Sequence, residues 1–179
     1  MGKDTQQENS RTLIRSKVIR EFSSGGVVYR DKGRLWLVRA TAPSNLFPKV
    51  SWMLPKGWID DAGPGIPGPM ASGRVKADED SLQKAALREV REEAGIEAKI
   101  IKKIGTESHF FKHPERGPIL KFVTFYLMEY VSNLSEGFDN ETLEVAWLPF
   151  EEALKKLSFE GERQMLRKAR KLLQAQMPL

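Results

Sequence analysis

Short apolar runs separated by turn residues occur along much of the chain. Ser24–Arg30 and Leu35–Ala40 are two such runs, and the polar segment Asp31–Arg34 between them has the composition of a hairpin turn. Further runs rich in Ile, Phe, Val and Tyr predict strands at Trp52–Leu54, Ala98–Phe111, Leu120–Val131 and Leu143–Trp147. The pattern therefore predicts a domain in which strands predominate.

The period of the pattern changes from that of a strand to that of a helix after Asp78. Leu82, Ala86 and Val90 recur every four residues, which places them on one face of a helix. Asp78 has a side chain that can cap the first turn, and Gly95 is suited to the left-handed residue that ends a helix. The chain therefore contains a predicted helix from Asp78 to Gly95. Further helices are predicted at Phe150–Leu157 and Glu160–Gln174.

The mixture of strands and helices predicts an α+β layered fold. The chain of 179 residues suits a single domain, which we place at residues 18–179. Residues 1–17 are polar and are predicted to form a flexible N-terminal arm. Residues 62–73 contain four glycines and three prolines, so we expect a mobile loop without regular structure there.

Composition excludes several kinds of protein. The absence of cysteine excludes a disulfide scaffold, a thiolate zinc site and a cysteine nucleophile. No apolar run approaches the roughly 20 residues that a membrane helix needs, and no signal-peptide pattern begins the chain, so a cytoplasmic protein without membrane contact is expected. The formal net charge of +5 indicates an anionic partner such as a nucleotide or a nucleic acid.

The predicted helix carries a group of three glutamates. Glu89, Glu92 and Glu93 have the spacing i, i+3, i+4, which places their carboxylates on one face. A hard divalent cation such as Mg²⁺ would relieve their mutual repulsion and could bind substrate phosphates at the same time. The alternative is a solvated helix face stabilised by ion pairs.

The sequence around these glutamates resembles a known family. Arg88-Glu89-Val90-Arg91-Glu92-Glu93-Ala94-Gly95-Ile96 matches the second half of the Nudix box, and Leu54-Pro55-Lys56-Gly57 resembles the entry to that box. The chain therefore resembles the Nudix (MutT-type) hydrolases, with a Gly/Pro-rich insertion at residues 61–77 that separates the two halves of the box. The resemblance implies an α/β/α sandwich around a mixed β-sheet.

The resemblance also implies a metal-dependent mechanism. Family members cleave a phosphoanhydride bond in a nucleoside diphosphate linked to another group, which implies Mg²⁺ as the cofactor with Mn²⁺ as an alternative. Glu89, Glu92 and Glu93 would be metal ligands, and the backbone carbonyl of Gly57 would be a further one. The group that accepts the proton from water would be Glu89 or Glu129, with Glu144 as a weaker candidate and with a plain surface carboxylate as the alternative for Glu129.

Several residues would bind the substrate if the resemblance holds. Lys56 precedes the box glycine, and Lys121 interrupts an apolar strand, so both are candidates for phosphate contacts. Arg39 ends an early strand and is a weaker candidate. Phe110 and Phe111 lie where related dinucleoside polyphosphate hydrolases often carry an aromatic residue that stacks on a base, with core packing as the alternative for one of them.

The substrate is less narrowly predicted than the reaction. Dinucleoside polyphosphates are the favoured class, followed by nucleoside triphosphates. The 5′ end of RNA, ADP-ribose and nucleotide sugars are alternatives, and a non-catalytic nucleotide- or RNA-binding protein is an alternative of another class. The sequence leaves the oligomeric state open.

Overall fold

The structure is a computed structural model that describes residues 17–177. Its β-strands are β1 (Ile19–Arg30), β2 (Leu35–Thr41), β3 (Trp52–Met53), β4 (Lys56–Trp58), β5 (Asp61–Gly63), β6 (Ile66–Pro67), β7 (Ile96–His113), β8 (Gly117–Asn133) and β9 (Thr142–Leu148). Its α-helices are α1 (Glu79–Ala94), α2 (Phe150–Lys156) and α3 (Glu160–Gln176). Each strand and helix predicted from the sequence is present, within a few residues of the predicted ends. None of the helices in residues 17–177 is both long and apolar enough to cross a membrane.

The central sheet is mixed. Its strand order is β3-β2-β1-β8-β7, while β4 pairs with β1 and β9 pairs with β2. β1 and β8 are parallel along their length, from Ile19 opposite Ile119 to Tyr29 opposite Glu129. The other pairings in this sheet are antiparallel. β4 lies antiparallel to the first half of β1, which brings Gly57 opposite Ser24.

Helices cover both faces of the sheet. On one face, Val90 of α1 packs in a buried cluster with Val28 and Met128. On the other face, α2 and α3 cover a second cluster that includes Val27 and Phe125. Alternate residues of β1 and β8 therefore point into two different cores, as strand geometry requires. The predicted α/β/α sandwich around a mixed sheet is confirmed.

The ends of α1 are fixed as the sequence predicts. The side chain of Asp78 accepts a hydrogen bond of 2.8 Å from the backbone N–H of Ser81, which satisfies one of the free donors of the first turn. Gly95 ends the helix in the left-handed conformation, with φ at 66°. A side chain there would collide with the backbone of Gly137, so the glycine also permits close approach of the loop after β8.

The Gly/Pro-rich segment has more structure than the sequence indicates. β5 and β6 form a small separate hairpin, so the expectation that residues 62–73 lack regular structure is wrong. The carboxylate of Asp60 accepts hydrogen bonds from the backbone N–H groups of Met70 and Ala71, at 3.1 and 2.7 Å, and Phe22 of β1 donates its N–H to the carbonyl of Ala71 at 2.8 Å. The segment is therefore tied to the sheet at its base. The predicted arm at residues 1–17 lies outside the described residues except for Lys17.

Candidate active site

A cavity of about 680 Å³ lies between α1, β4 and the loop that precedes β9. Six acidic side chains and three basic ones line it: Asp61, Glu89, Glu92, Glu93, Asp139 and Glu141, with Lys56, Arg88 and Lys121. The three glutamates predicted from the sequence therefore share one cavity. Asp61, Asp139 and Glu141 were not predicted, because they are distant from α1 in sequence and belong to no recognisable local motif.

Arg88 fixes the position of α1 against β4. Its guanidinium donates a hydrogen bond of 2.7 Å to the carbonyl oxygen of Trp58 and another of 2.7 Å to Oε1 of Glu89. The same guanidinium nitrogen, Nη2, therefore contacts both the strand and a cavity carboxylate. Charge-assisted bonds of this kind orient a carboxylate more strongly than bonds to neutral donors do.

Glu89 lies directly against Gly57. A Cβ atom at Gly57 would overlap the carboxylate of Glu89, so only glycine allows this approach of β4 to α1. Burial raises the pKa of Glu89, against the opposing influence of Arg88. The box glycine and one of the box carboxylates are thus neighbours in the structure. It brings the backbone of Gly57 and a carboxylate together at the cavity wall.

Glu93 is the most deeply buried of the three glutamates, with a side-chain exposure of 4%. Its Oε1 pairs with the guanidinium of Arg39, and its Oε2 accepts a hydrogen bond of 2.8 Å from the backbone N–H of Lys56. Burial raises the pKa of Glu93 to about 8, although Arg39 and Lys56 favour the charged form. The buried Arg39 is therefore a partner of Glu93, and its role as a substrate-binding residue stays a prediction.

Thr142 connects this ion pair to the loop before β9. Its hydroxyl donates a hydrogen bond of 2.7 Å to the backbone carbonyl of Glu93 and accepts one of 3.0 Å from Arg39. The backbone N–H of Asp139 also donates to the carbonyl of Glu92, at 2.8 Å. The loop therefore satisfies carbonyl groups at the end of α1 that have no partner within the helix.

Glu92 is the exposed member of the group. Half of its side chain is accessible, and its nearest cationic atom is Nε of Arg88, at 3.8 Å from Oε1. Among residues 17–177, no three histidine, aspartate or glutamate side chains converge closely enough to form a metal-binding group by themselves. The carboxylate of Glu93 pairs with Arg39 and that of Glu89 pairs with Arg88, so the carboxylates of the three glutamates do not converge on one point.

The chemistry of the cavity nevertheless fits a hard cation. The lining carboxylates outnumber the cationic side chains by two to one, and each of these groups contributes oxygen or nitrogen atoms but no sulfur. Magnesium and manganese ions bind such oxygen-rich sites with carboxylates, carbonyl groups and water. Glu89, Glu92 and Gly57, which the sequence predicts as metal ligands, all line this cavity.

A second cavity of about 500 Å³ adjoins the first one and shares Lys56, Lys121 and Glu141 with it. Aromatic side chains line much of this cavity, which we call the aromatic cavity: Phe47, His109, Phe110, Phe111 and Phe159. Phe110 and Phe111 therefore lie next to the carboxylates, as their predicted role requires. Phe110 is 61% exposed, so core packing does not explain it.

The two predicted phosphate-binding lysines differ in their surroundings. Nζ of Lys56 lies 2.5 Å from Oε1 of Glu162 on α3, so its charge is already paired. The other oxygen of Glu162 accepts a hydrogen bond of 2.9 Å from the backbone N–H of Leu54. Lys121 is partly buried at the junction of the two cavities, and burial together with the nearby Lys56 lowers its pKa. An anion at this junction would therefore relieve repulsion between the two lysines.

Glu129 lies away from the candidate site. It is exposed at the far end of β8, opposite Tyr29, and lines neither cavity. Eight residues separate it from Lys121, which corresponds to roughly 25 Å along a strand. The structure therefore contradicts the predicted role of Glu129 as a general base, and it supports the alternative of a surface carboxylate.

Comparison with known proteins identifies the family. The model of the NUDIX domain matches residues 20–169. The chain belongs to the Nudix family. The prediction from the Nudix box is thus confirmed.

Individual relatives are more distant. A Mycobacterium tuberculosis protein that bears the name MutT4 is 27% identical over 169 residues, which cover 91% of this chain. The matched region spans only 60% of the length of that relative.

Solved Nudix structures agree with this fold at low sequence identity. The Ap4A hydrolase of C. elegans, in a binary complex, has a TM-score of 0.58 at 21% identity and covers 87% of this chain and 98% of its own. A NUDIX hydrolase from Nitrosomonas europaea has a TM-score of 0.59 at 15% identity, and the match covers 85% of this chain and 89% of that hydrolase. The NUDIX domain of Shewanella oneidensis NrtR, complexed with ADP ribose, has a TM-score of 0.57 at 18% identity, and the match covers 86% of this chain and 88% of that domain.

Proposed function

We propose that this Nudix protein is a Mg²⁺-dependent hydrolase that cleaves a phosphoanhydride bond in a nucleotide, with dinucleoside polyphosphates and nucleoside triphosphates as the favoured substrates. The observation that carries the proposal is the junction of two cavities of different chemistry. One is lined by carboxylates, the other by aromatic rings, and Lys121 lies between them. A nucleotide has the same order of parts: a base that stacks, and phosphates that need cations.

The proposed metal ligands are the carboxylates of Glu89, Glu92 and Glu93 and the carbonyl oxygen of Gly57. A bound divalent cation would neutralise phosphate charge and lower the pKa of a coordinated water. Because Glu93 already accepts hydrogen bonds from Arg39 and Lys56, its contribution would use the remaining lone pairs of its oxygens.

The chain itself supplies orientation and proton transfer. Arg88 and Arg39 hold two of the carboxylates in place, and Lys121 attracts the phosphate chain to the junction. Of the general bases considered from the sequence, only Glu89 lines the cavity, so we assign the role to Glu89. Its raised pKa brings it closer to the range in which a carboxylate can accept and release protons at neutral pH.

The proposal is tested by incubating the purified chain with Mg²⁺ and a substrate panel. The panel contains diadenosine tetraphosphate, ATP, ADP-ribose and RNA with a 5′-triphosphate, and products are separated by chromatography. We expect turnover of diadenosine tetraphosphate or ATP, and none when a chelator removes the metal ion. Preference for ADP-ribose or RNA would replace the substrate class, and tight binding without any turnover would indicate a non-catalytic nucleotide-binding protein.

A variant of the exposed glutamate tests the metal site separately. Glu92→Gln should lower kcat at least about 100-fold, because a lost charge contact at a transition state costs that much or more. Glu136→Gln is the matched control, since Glu136 is exposed on the loop after β8 and lines neither cavity. Near-normal turnover by Glu92→Gln would contradict the assigned ligands.

A further inference from the structure

Glu107 lies on β7 with its side chain directed to the same side of the sheet as Lys121. It is opposite Val123 in the register of β7 and β8, and His109, two residues further along, is opposite Lys121. Residues two apart on a strand share a face, so Glu107 and His109 both line the aromatic cavity. The side chain of Glu107 is only 8% exposed, which is unusual for a carboxylate.

One oxygen of this buried carboxylate has a partner and the other is free. Oε1 lies 2.8 Å from Nδ1 of His109. Oε2 faces the first turn of α3, where a Cβ atom at Gly161 would lie only 2.5 Å away. Within residues 17–177, Oε2 accepts no hydrogen bond. Because Glu107 lines the aromatic cavity, this unpaired oxygen can accept a hydrogen bond from a donor on a ligand bound there.

Of the other carboxylates of the aromatic cavity, Glu141 is exposed and is shared with the first cavity, whereas Glu160 and Glu162 are already engaged. Glu162 uses one oxygen for Lys56 and the other for the N–H of Leu54. Glu160 is more than half exposed and pairs with two arginines of its own helix. Glu107 is therefore the buried carboxylate of this cavity that has an oxygen available to a ligand.

The rings around Glu107 favour a planar ligand. The rings of His109 and Phe111 stack with their centroids 5.9 Å apart, and Phe47 meets Phe159 edge to face at 5.9 Å. A base between such rings would present its polar edge to the cavity wall, while its phosphates extended to Lys121. The edge group that suits a carboxylate oxygen is an N–H donor.

We propose that Glu107 determines base specificity by accepting a hydrogen bond from an exocyclic amino group of the substrate base. This inference rests on the proposed function, because it places the base of a hydrolysed nucleotide in the aromatic cavity. It favours adenine and other amino-bearing bases over analogues that lack the amino group. His109 holds Glu107 in place, and Gly161 leaves room for its carboxylate beside α3.

The test compares two substrates that differ only in the amino group. These are ATP and purine riboside triphosphate, or the corresponding pair for whichever nucleotide the panel identifies. For the unmodified protein we expect kcat/KM to be roughly tenfold to a hundredfold lower for the analogue, mainly through KM, because a hydrogen bond to a charged group is lost. A ratio near one would overturn the proposal.

Variants separate specificity from folding. Glu107→Met removes the acceptor and should bring the ratio of kcat/KM between the two substrates near one. Glu107→Gln keeps one acceptor oxygen and should retain part of the preference for the amino-bearing substrate. Gly161→Ala should also reduce the ratio, because the added methyl group displaces the carboxylate. Glu115→Met, on the exposed turn between β7 and β8, is the control that should keep the full ratio.

The outcomes distinguish this inference from the proposed function. Absence of turnover on every nucleotide would contradict the proposed function. Turnover with a full ratio in Glu107→Met would contradict only the role of Glu107, and would leave it as a residue that stabilises the start of α3. If Glu107→Met does not fold, the proposal is tested by the substrate ratios of the unmodified protein and of Gly161→Ala. These ratios are unaffected by a loss of folded protein, because such a loss lowers the rates on both substrates equally.

Discussion

The guanidinium of Arg39 and the carboxylate of Glu93 form an ion pair that is almost completely buried between β2 and α1. The two residues are 54 positions apart in the sequence. The pair is supported by Thr142 on one side and by the N–H of Lys56 on the other. It therefore joins α1, β2, β4 and β9 at one point beside the candidate site.

Removal of Arg39 should be strongly destabilising. Arg39→Ala leaves the buried carboxylate of Glu93 without its cation, and breaking a buried pair in this way costs about 3–5 kcal/mol. Urea denaturation should show this as a lower midpoint. Arg34→Ala, at an exposed position before β2, serves as the control and should stay within about 0.5 kcal/mol. Equal midpoints for the two variants would show that the pair adds no net stability.

A methyl group at Gly57 should disrupt the candidate site more than the fold. Gly57→Ala places a Cβ atom where the carboxylate of Glu89 lies, so Glu89 must rotate away or β4 must move. We expect turnover to fall at least about tenfold and Mn²⁺ binding to weaken, because a displaced ligand costs metal affinity. Calorimetric titration with Mn²⁺ measures the second effect. Unchanged affinity would argue against Gly57 and Glu89 as neighbours at the metal.

Metal binding should strengthen as the pH rises towards 8. Burial raises the pKa of Glu93 to about 8, so part of its population is protonated at neutral pH in the metal-free protein, and burial also raises the pKa of Glu89. A carboxyl group must lose its proton to bind a cation, so protons compete with the metal below the pKa. Affinity for Mn²⁺ measured between pH 6 and 8.5 should increase and then level off above about 8. An affinity that is constant over this range would contradict the role of these carboxylates.

Loss of Asp60 should release the Gly/Pro-rich segment while the rest of the fold persists. Asp60→Ala removes the acceptor for the N–H groups of Met70 and Ala71, which hold the base of the segment. Hydrogen exchange should then become faster within residues 61–77 and stay slow in the central sheet. Asp61→Ala is the control, because its exposed side chain makes no such bond. Equal exchange in both variants would show that the segment is held by other contacts.

Local signals explain why α1 was predictable in detail. The cap at Asp78, the period of Leu82 and Val90 and the stop at Gly95 each lie within the helix or next to it. The three glutamates are also consecutive on one face, so their common cavity follows from helix geometry. The β5–β6 hairpin was missed because its glycines and prolines resemble a loop when they are read without the anchoring Asp60.

Pairings between distant segments could not be predicted in the same way. Lys56 and Arg39 have the appearance of free cations in the sequence, since nothing near them indicates Glu162 or Glu93 as partners. Glu129 was predicted as a site residue because its position at a strand end resembles that of a glutamate in related enzymes, but the fold places it far from both cavities. Glu107 and Glu141 gave no signal, because only the tertiary fold brings them to the site.

The bonds made by Glu162 also imply an order of events during synthesis. This residue holds Leu54 and Lys56, yet it follows Leu54 by 108 positions, so the ribosome makes α3 long after β4. A nascent chain that has reached β9 carries every proposed metal ligand, but Leu54 and Lys56 still lack their contacts with Glu162. The segment that contains Leu54 and Lys56, at the wall of the candidate site, would therefore gain these contacts only after α3 has been synthesised.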